Sequence, residues 1–249
     1  MTTVGAASAA DAPVDTSPAV TPYRPSVSTP AALSVPGWVE VEAGFQNTRA
    51  VDPLSRASLP YAVKLAFTPD WGIRLGGDAV VRQRGADGTI LTGLGDTSVI
   101  VKRRFEVDSA SALGFEFGVQ SPTARAGIGS GHADLTLNGI YSSDFAESWH
   151  IDVNAWATHL GAVEAGSGAW QPGWAAALSR SLSDRCGVVA ELSGTHQAGK
   201  ASTSQALFAA SFSPSHPQTF DIGFSKGLTA ASGGWSFFFG ATFLLVQLF

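Results

Sequence analysis

The sequence predicts an all-β chain, a closed up-and-down antiparallel transmembrane β-barrel of about 12 strands. Three observations predict it. Apolar and polar residues alternate with period 2 along most of the chain after Trp38, the pattern of pleated strands with two unlike faces. The connections between those strands alternate strictly between long and short. Charged residues make up 14% of the 249 and hydrophobic residues 45%, whereas a water-soluble domain carries about a quarter charged residues.

Composition removes the competing classes. A disordered chain is less apolar and more charged. A disulfide scaffold needs paired cysteines, and Cys186 stands alone. A net charge of −5 leaves no basic footprint for nucleic acid. No stretch approaches the roughly 18–20 uninterrupted apolar residues of a spanning helix, and the richest run, Phe237 to Val246, is too short.

The elements follow in order. Residues 1–35 hold Ala, Ser, Thr and Pro with Asp11, Asp15 and Arg24 as their only charges, and nothing in them alternates. This reads as a flexible arm. Its Ala6 to Asp11 stretch is either the end of a removed export signal or a plain Ala-rich tail. The barrel occupies residues 36–249. Its first strand sends Val39, Val41, Ala43 and Phe45 to one face and Glu40, Glu42 and Gly44 to the other. The second opposes Leu59, Tyr61, Val63, Leu65 and Phe67 to Lys64. The third opposes Ile73, Leu75, Ala79 and Val81 to Arg74, Asp78 and Arg82, and the fourth opposes Val99, Val101 and Phe105 to Asp96, Ser98, Lys102 and Arg104. The next three oppose Leu113, Phe115 and Phe117 to Glu116, Leu135, Leu137 and Tyr141 to Asp134, and Ile151 and Val153 to Asp152. Five later strands, 170–179, 187–195, 203–212, 219–225 and 235–249, carry small residues with Glu191 and Asp221 on the polar face.

The long connections cover 46–56, 84–94, 122–131, 159–169, 196–202 and 227–234, and the tight ones cover 69–70, 106–110, 143–148, 182–185 and 213–218. A soluble sandwich has no reason for that alternation. An outer-membrane barrel does, with short periplasmic turns and long external loops, and an even strand number puts both termini on the periplasmic side. Trp38, Trp71 and Trp149 lie near the tight-turn side and Trp170 and Trp235 near the loop side, a pair of aromatic belts. The last strand ends at Phe249, a terminal aromatic of the kind the barrel-assembly machinery recognises, although Gln247 interrupts its apolar face.

From about Arg24 to Phe249 the chain resembles the outer-membrane barrel family of phenol-degradation (MetA-pathway), or "transporter", proteins. The resemblance is carried by Arg24-Pro25-Ser26, by Val35-Pro36-Gly37-Trp38-Val39-Glu40-Val41-Glu42-Ala43-Gly44, and by Gly95-Asp96-Thr97 with Lys102-Arg103-Arg104-Phe105. Ser121-Pro122-Thr123, Gly131-His132-Ala133-Asp134-Leu135, Asn138-Gly139, Glu191-Leu192-Ser193-Gly194-Thr195 and Lys226-Gly227-Leu228-Thr229 continue it. It implies permeability to, or export of, small hydrophobic or aromatic compounds.

If the apolar face meets lipid, the charged face lines a pore. The expected pore-lining set is Lys64, Arg74, Asp78, Arg82, Asp96, Lys102, Arg104, Glu116 and Asp134. Its cations all lie on the second to fourth strands. A basic wall facing Glu116 and Asp134 would set a field across a narrow constriction; a neutralising salt-bridge network that fills the lumen is the equal alternative. His132 with Asp134 and His150 with Asp152 sit too far apart along the strands to form one metal site. Ser193 and His196 flank a loop without a third partner, so no catalytic residues and no cofactor are expected. Cys186 reads as a small buried side chain. The expectation is a non-enzymatic channel or facilitator in the outer membrane of a Gram-negative-type bacterium. It would pass small solutes, aromatic or hydrophobic ones among them, with outer-membrane lipid and the assembly machinery as partners. The alternatives are a sealed structural barrel whose loops bind a ligand or partner and, more remotely, a lipid-modifying enzyme.

Overall fold

The structure, a computed structural model, describes residues 17–50 and 53–249. The Ala6 to Asp11 stretch lies outside the described residues. The strands are β1 (Trp38–Arg49), β2 (Ser55–Ala66), β3 (Trp71–Arg84), β4 (Ile90–Gly93), β5 (Thr97–Glu106), β6 (Ser111–Ser121) and β7 (Asp134–Ala146). They continue with β8 (Trp149–His159), β9 (Trp170–Ser181), β10 (Cys186–Thr195), β11 (Thr203–Ser215), β12 (Gln218–Gly227) and β13 (Trp235–Gln247). Each barrel strand pairs antiparallel with its chain neighbours, and β1 pairs with β13 from Trp38↔Gln247 to Thr48↔Ser236, which closes a 12-stranded barrel. Closure satisfies the backbone groups that an open edge would leave bare in hydrocarbon. The extra strand, β4, pairs only with the far end of β3 and turns the expected 84–94 loop into a hairpin outside the ring.

The outer surface is apolar in the way lipid requires. Leu113, Phe115 and Phe117 on β6, Phe220, Ile222 and Phe224 on β12, and Phe237 and Phe239 on β13 are all exposed. Their alternating neighbours Ala112, Gly114, Glu116, Asp221, Ser236 and Phe238 are buried inside. Two arginines, Arg103 and Arg180, share the outer parity near the tight-turn side. Arg103 stacks between Trp71 at 4.8 Å and Phe105 at 4.9 Å, and Arg180 lies 5.1 Å from the ring of Trp149. Cation–π contact at the interfacial belt, where an arginine costs only about 0–1 kcal/mol, accounts for both. Cys186, expected to be buried, is exposed at the start of β10 with the same outer parity as Val188.

One strand departs from simple alternation. Between Ser58↔Val81 and Pro60↔Asp78 the β2–β3 ladder shifts, with one more residue on β3 than on β2. A bulge of this kind reverses the faces beyond it. Val81 is therefore fully buried, Val80 is 42% exposed, and Arg82 is exposed on the outer parity. The expectation that Arg82 lines the lumen and Val81 meets lipid is corrected by that single inserted residue.

Residues 17–37 do not trail away from the barrel. They enter the lumen at the tight-turn end, where Val20 N–H donates to His216 O at 2.9 Å, and return to the same end before β1. Tyr23, Ser28, Thr29, Ala31 and Ser34 are buried there. The sequence reading had no partner for this segment because its donors are backbone N–H groups, which no side-chain pattern announces.

Candidate functional site

The inner wall presents buried carboxylates at mid-height, and the arm supplies their donors. Thr21 N–H donates to Glu40 Oε2 at 3.0 Å, and Tyr23 and Arg24 N–H donate to the two Glu42 oxygens at 2.7 and 3.2 Å. Val27 and Ser28 N–H reach Glu191 at 3.1 and 2.8 Å, and the Ser28 hydroxyl adds a third bond at 2.8 Å. Thr29 N–H donates to Asn154 Oδ1 at 3.0 Å, and Ala31 N–H to Ser142 Oγ at 2.7 Å. The Arg24 guanidinium makes a two-point pair with Asp221, each bond 3.2 Å. Hydrogen bonds to charged groups are the strong ones, at about 1.5–3 kcal/mol each.

The wall is also shaped for the arm. At Gly44 and Gly240 a Cβ would fall 2.7 and 2.5 Å from the Arg24 guanidinium. At Gly72 it would meet Leu33 Cδ2 at 2.9 Å, and at Gly114 it would meet Ala31 Cα at 3.3 Å. Ala31 packs in a small apolar cluster with Ala112 and Ile140. Four glycines on the inner face of four strands thus leave the room that the arm fills.

Tyr23 sits at the centre. Lys64 Nζ lies 3.9 Å from its ring centroid, Lys102 Nζ 4.1 Å and Arg74 Cζ 5.3 Å. Its hydroxyl donates to Ala32 O at 3.0 Å and accepts from Lys102 at 3.0 Å. One aromatic ring therefore separates and stabilises three cations on adjoining strands. Lys64 pairs with Glu40 and Glu42, both at 2.5 Å, and Lys102 pairs with Glu116 at 3.3 Å.

The nine expected pore-lining residues thus separate by height and role. Lys64, Arg74, Lys102 and Glu116 cluster at mid-lumen around Tyr23. Asp78 pairs with Arg56 at 2.8 Å towards the long-loop end. Asp96 holds the 122–131 loop through Ala124 and Ser130 N–H, each 3.0 Å, and Asp134 holds Gly161 N–H at 2.8 Å. Arg104 pairs with Glu106 at 3.2 Å near the tight-turn end. Arg82 is outside. The basic and acidic side chains expected to face each other across an opening are instead paired on neighbouring strands, as Lys102 with Glu116.

Space remains on both sides of the arm. A cavity of about 460 Å³ on the tight-turn side is lined by Arg24, Pro25, Ser26 and Ser28 together with the small residues of β9–β12. On the long-loop side, cavities of about 320 and 260 Å³ are lined by Val27, and both touch Trp156. The tip of the arm, around 26–29, is the partition between them. Trp156 points inward from β8 and lies over Gly173, where any Cβ would collide with the indole. No sequence pattern marks Tyr23, Trp156 or the donors at 27–29 as lumen residues, and Arg24 stands out in the sequence only as a charge of the arm and part of the resemblance.

Other polar groups bond within the wall and the turns. Ser142 donates to Asp152 at 2.5 Å, and His150 bridges Asp144 at 2.7 Å and Asp152 at 3.1 Å. The serine hydroxyl thus meets a carboxylate and not the imidazole, unlike a nucleophile and its base. Ser193 is buried, and His196 Nδ1 pairs with Ser202 Oγ at 2.9 Å. Among the described residues no group of three or more His, Cys, Asp or Glu could hold a metal ion.

Fold and site together define a closed twelve-stranded barrel whose lumen is stoppered from within by its own N-terminal arm. No family model matches the chain, and no curated protein does. Solved structures do. The COG4313 outer membrane channel from Pseudomonas putida F1 superposes with a TM-score of 0.67 at 13% identity, over 86% of this chain and 97% of that one. The KdgM porin gives 0.61 at 7% identity over 83% and 99%. The CymD monoaromatic hydrocarbon channel gives 0.52 at 8% identity over 86% and 90%. At such identities the likeness shows the barrel fold.

Proposed function

We propose that the chain is an outer-membrane channel for small solutes that conducts when its N-terminal arm shifts in the lumen. The observation that carries this reading is the pair of cavities on either side of one thin partition, the arm tip at 26–29. A barrel built only as scaffold has no use for open space at both ends of a single layer of chain. The apolar belt and the porin-like fold support the outer membrane as its location, with both termini periplasmic and Phe249, which is 65% exposed, offered to the assembly machinery. The resemblance to the phenol-degradation family and the likeness to a monoaromatic hydrocarbon channel support small aromatic or hydrophobic solutes. The likeness to porins and channels supports a non-enzymatic reading. The charged constriction of the sequence reading becomes, in this proposal, a mid-lumen latch around Tyr23.

A sealed structural barrel is favoured by one observation, the continuity of the partition. Planar-bilayer recording separates the two. A channel gives a small fluctuating conductance with the full chain and a larger, steadier one with a chain lacking residues 17–34. Silence from both, with heat-modifiable gel mobility showing a folded barrel, would leave the sealed reading standing.

A further inference from the structure

The outer cavity of about 320 Å³ has the parts of a binding site, and it lies within the size range of small-molecule pockets. Arg74 and Trp156 both line it. Arg24, Lys64 and Lys102 each have a carboxylate within 4 Å, whereas Arg74 forms no ion pair among the described residues. Its guanidinium lies over the ring of Tyr23, 5.3 Å from the centroid, and feels the charge of Glu116 from beyond ion-pair distance. Glu116 also lines the cavity, but its carboxylate is taken up by Lys102, Asn138 Nδ2 at 3.0 Å and the Thr29 hydroxyl at 3.4 Å. Between Arg74 and Trp156 the wall is made of Gly118, which contributes no side chain, and of hydroxyls such as Thr136 and Thr158.

A half-buried cation with no ion pair of its own invites an anion, and the planar fork of arginine suits a carboxylate. An indole on the same wall suits a flat apolar body. We infer that this cavity is a binding subsite for a small arylcarboxylate, with its carboxylate on Arg74 and its ring against Trp156. The inference rests on the channel reading above and names the solute class that pauses at the partition on its way through the barrel.

The test uses the full chain purified in detergent, with benzoate, benzyl alcohol and benzylammonium as probes and calorimetric titration as the readout. Benzoate should bind saturably and at least about tenfold more tightly than the other two. Arg74→Gln should weaken benzoate about tenfold while leaving benzyl alcohol unchanged, and Trp156→Phe should weaken benzoate and benzyl alcohol together. Arg82→Gln, outside the lumen, should change neither. Gel mobility of each variant before and after heating reports whether the barrel is folded, and His159, which packs on Trp170 at 5.0 Å and does not line the cavity, supplies a second control as His159→Gln. Absence of saturable benzoate binding to the folded wild-type barrel, or equal binding by folded Arg74→Gln, overturns the inference. Because binding is read without a membrane, loss of binding with conductance intact sinks only this inference. Binding without conductance sinks only the channel reading.

Discussion

Replacing Tyr23 by leucine should open the barrel without unfolding it. Leucine keeps most of the apolar volume but removes the ring that faces Lys64, Lys102 and Arg74 at 3.9, 4.1 and 5.3 Å, and the hydroxyl bonded to Ala32 and Lys102. Each cation–π contact is worth about 0.5–2 kcal/mol, the neutral hydrogen bond to Ala32 about 1 kcal/mol, and the bond from the Lys102 ammonium about 1.5–3 kcal/mol. These terms overlap, since Lys102 enters both, so a total of about 3 kcal/mol is a fair reading. All of it acts on the docking of the arm, because every barrel ladder is made without Tyr23. At about 1.4 kcal/mol per factor of ten, the ratio of docked to undocked arm falls roughly a hundredfold. Single-channel recording at fixed voltage measures this as open probability. The variant should keep its heat-modifiable mobility and show a roughly hundredfold rise in open time at unchanged unitary conductance. A folded variant that gates like the wild type would refute the reasoning, since either the ring is not the latch or the arm is not the barrier.

Four further outcomes follow from the same geometry. Leu137→Arg places a charge on an outer-face side chain that is 44% exposed to lipid and should cost about 2–4 kcal/mol in urea unfolding from bilayers. Thr136→Arg, whose native hydroxyl faces inward to Thr158 at 2.9 Å, should be milder. Glu191→Gln keeps one acceptor for Val27 and Ser28 but loses the charge, and arm mobility measured by a spin label at Val27 should rise. Gly173→Leu removes the space beneath Trp156 and should shift its fluorescence and block folding of β8 against β9. At the long-loop end, the Lys200 hydrogen bond and ion pair hold the Glu164 carboxyl below its ordinary range. The link is complete above the ordinary glutamate value and is lost as pH falls through the lowered one, so Lys200→Gln should return the Glu164 titration, followed by NMR, to the ordinary range.

What the sequence made legible was the membrane-facing half of the molecule. Leu113, Phe115 and Phe117, or Phe220, Ile222 and Phe224, each fix a face because hydrocarbon tolerates no exception at mid-depth and the pleat has a strict period. Turn lengths were legible for a related reason, since short and long connections face different solvents. The β3 bulge was not. Ala79, Val80 and Val81 are all apolar, and a run of like residues carries no phase, so one inserted residue could turn Arg82 outward unseen.

The lumen was harder because its partner is backbone. Yet the inner wall holds a signal that points to the arm. Among the described residues six carboxylates (Glu40, Glu42, Glu116, Asp152, Glu191 and Asp221) are buried, against two buried ammonium groups, Lys64 and Lys102. Buried carboxylates need charges or donors, and a barrel wall has spent its own N–H groups on its ladders. The deficit therefore calls for donors from outside the sheet. The segment able to give them must be free of secondary structure, so that its N–H groups are uncommitted, and must lie close in sequence to the wall. Residues 17–35 meet both conditions, and the inward glycines at 44, 72, 114 and 240 show where their side chains go. An excess of inward carboxylate over inward cation, set beside inward glycine and a Pro-rich leader, is thus a readable mark of a barrel that carries its own stopper. In the proposed channel the stopper moves because the wall carboxylates it caps are groups that water can serve once the arm has left.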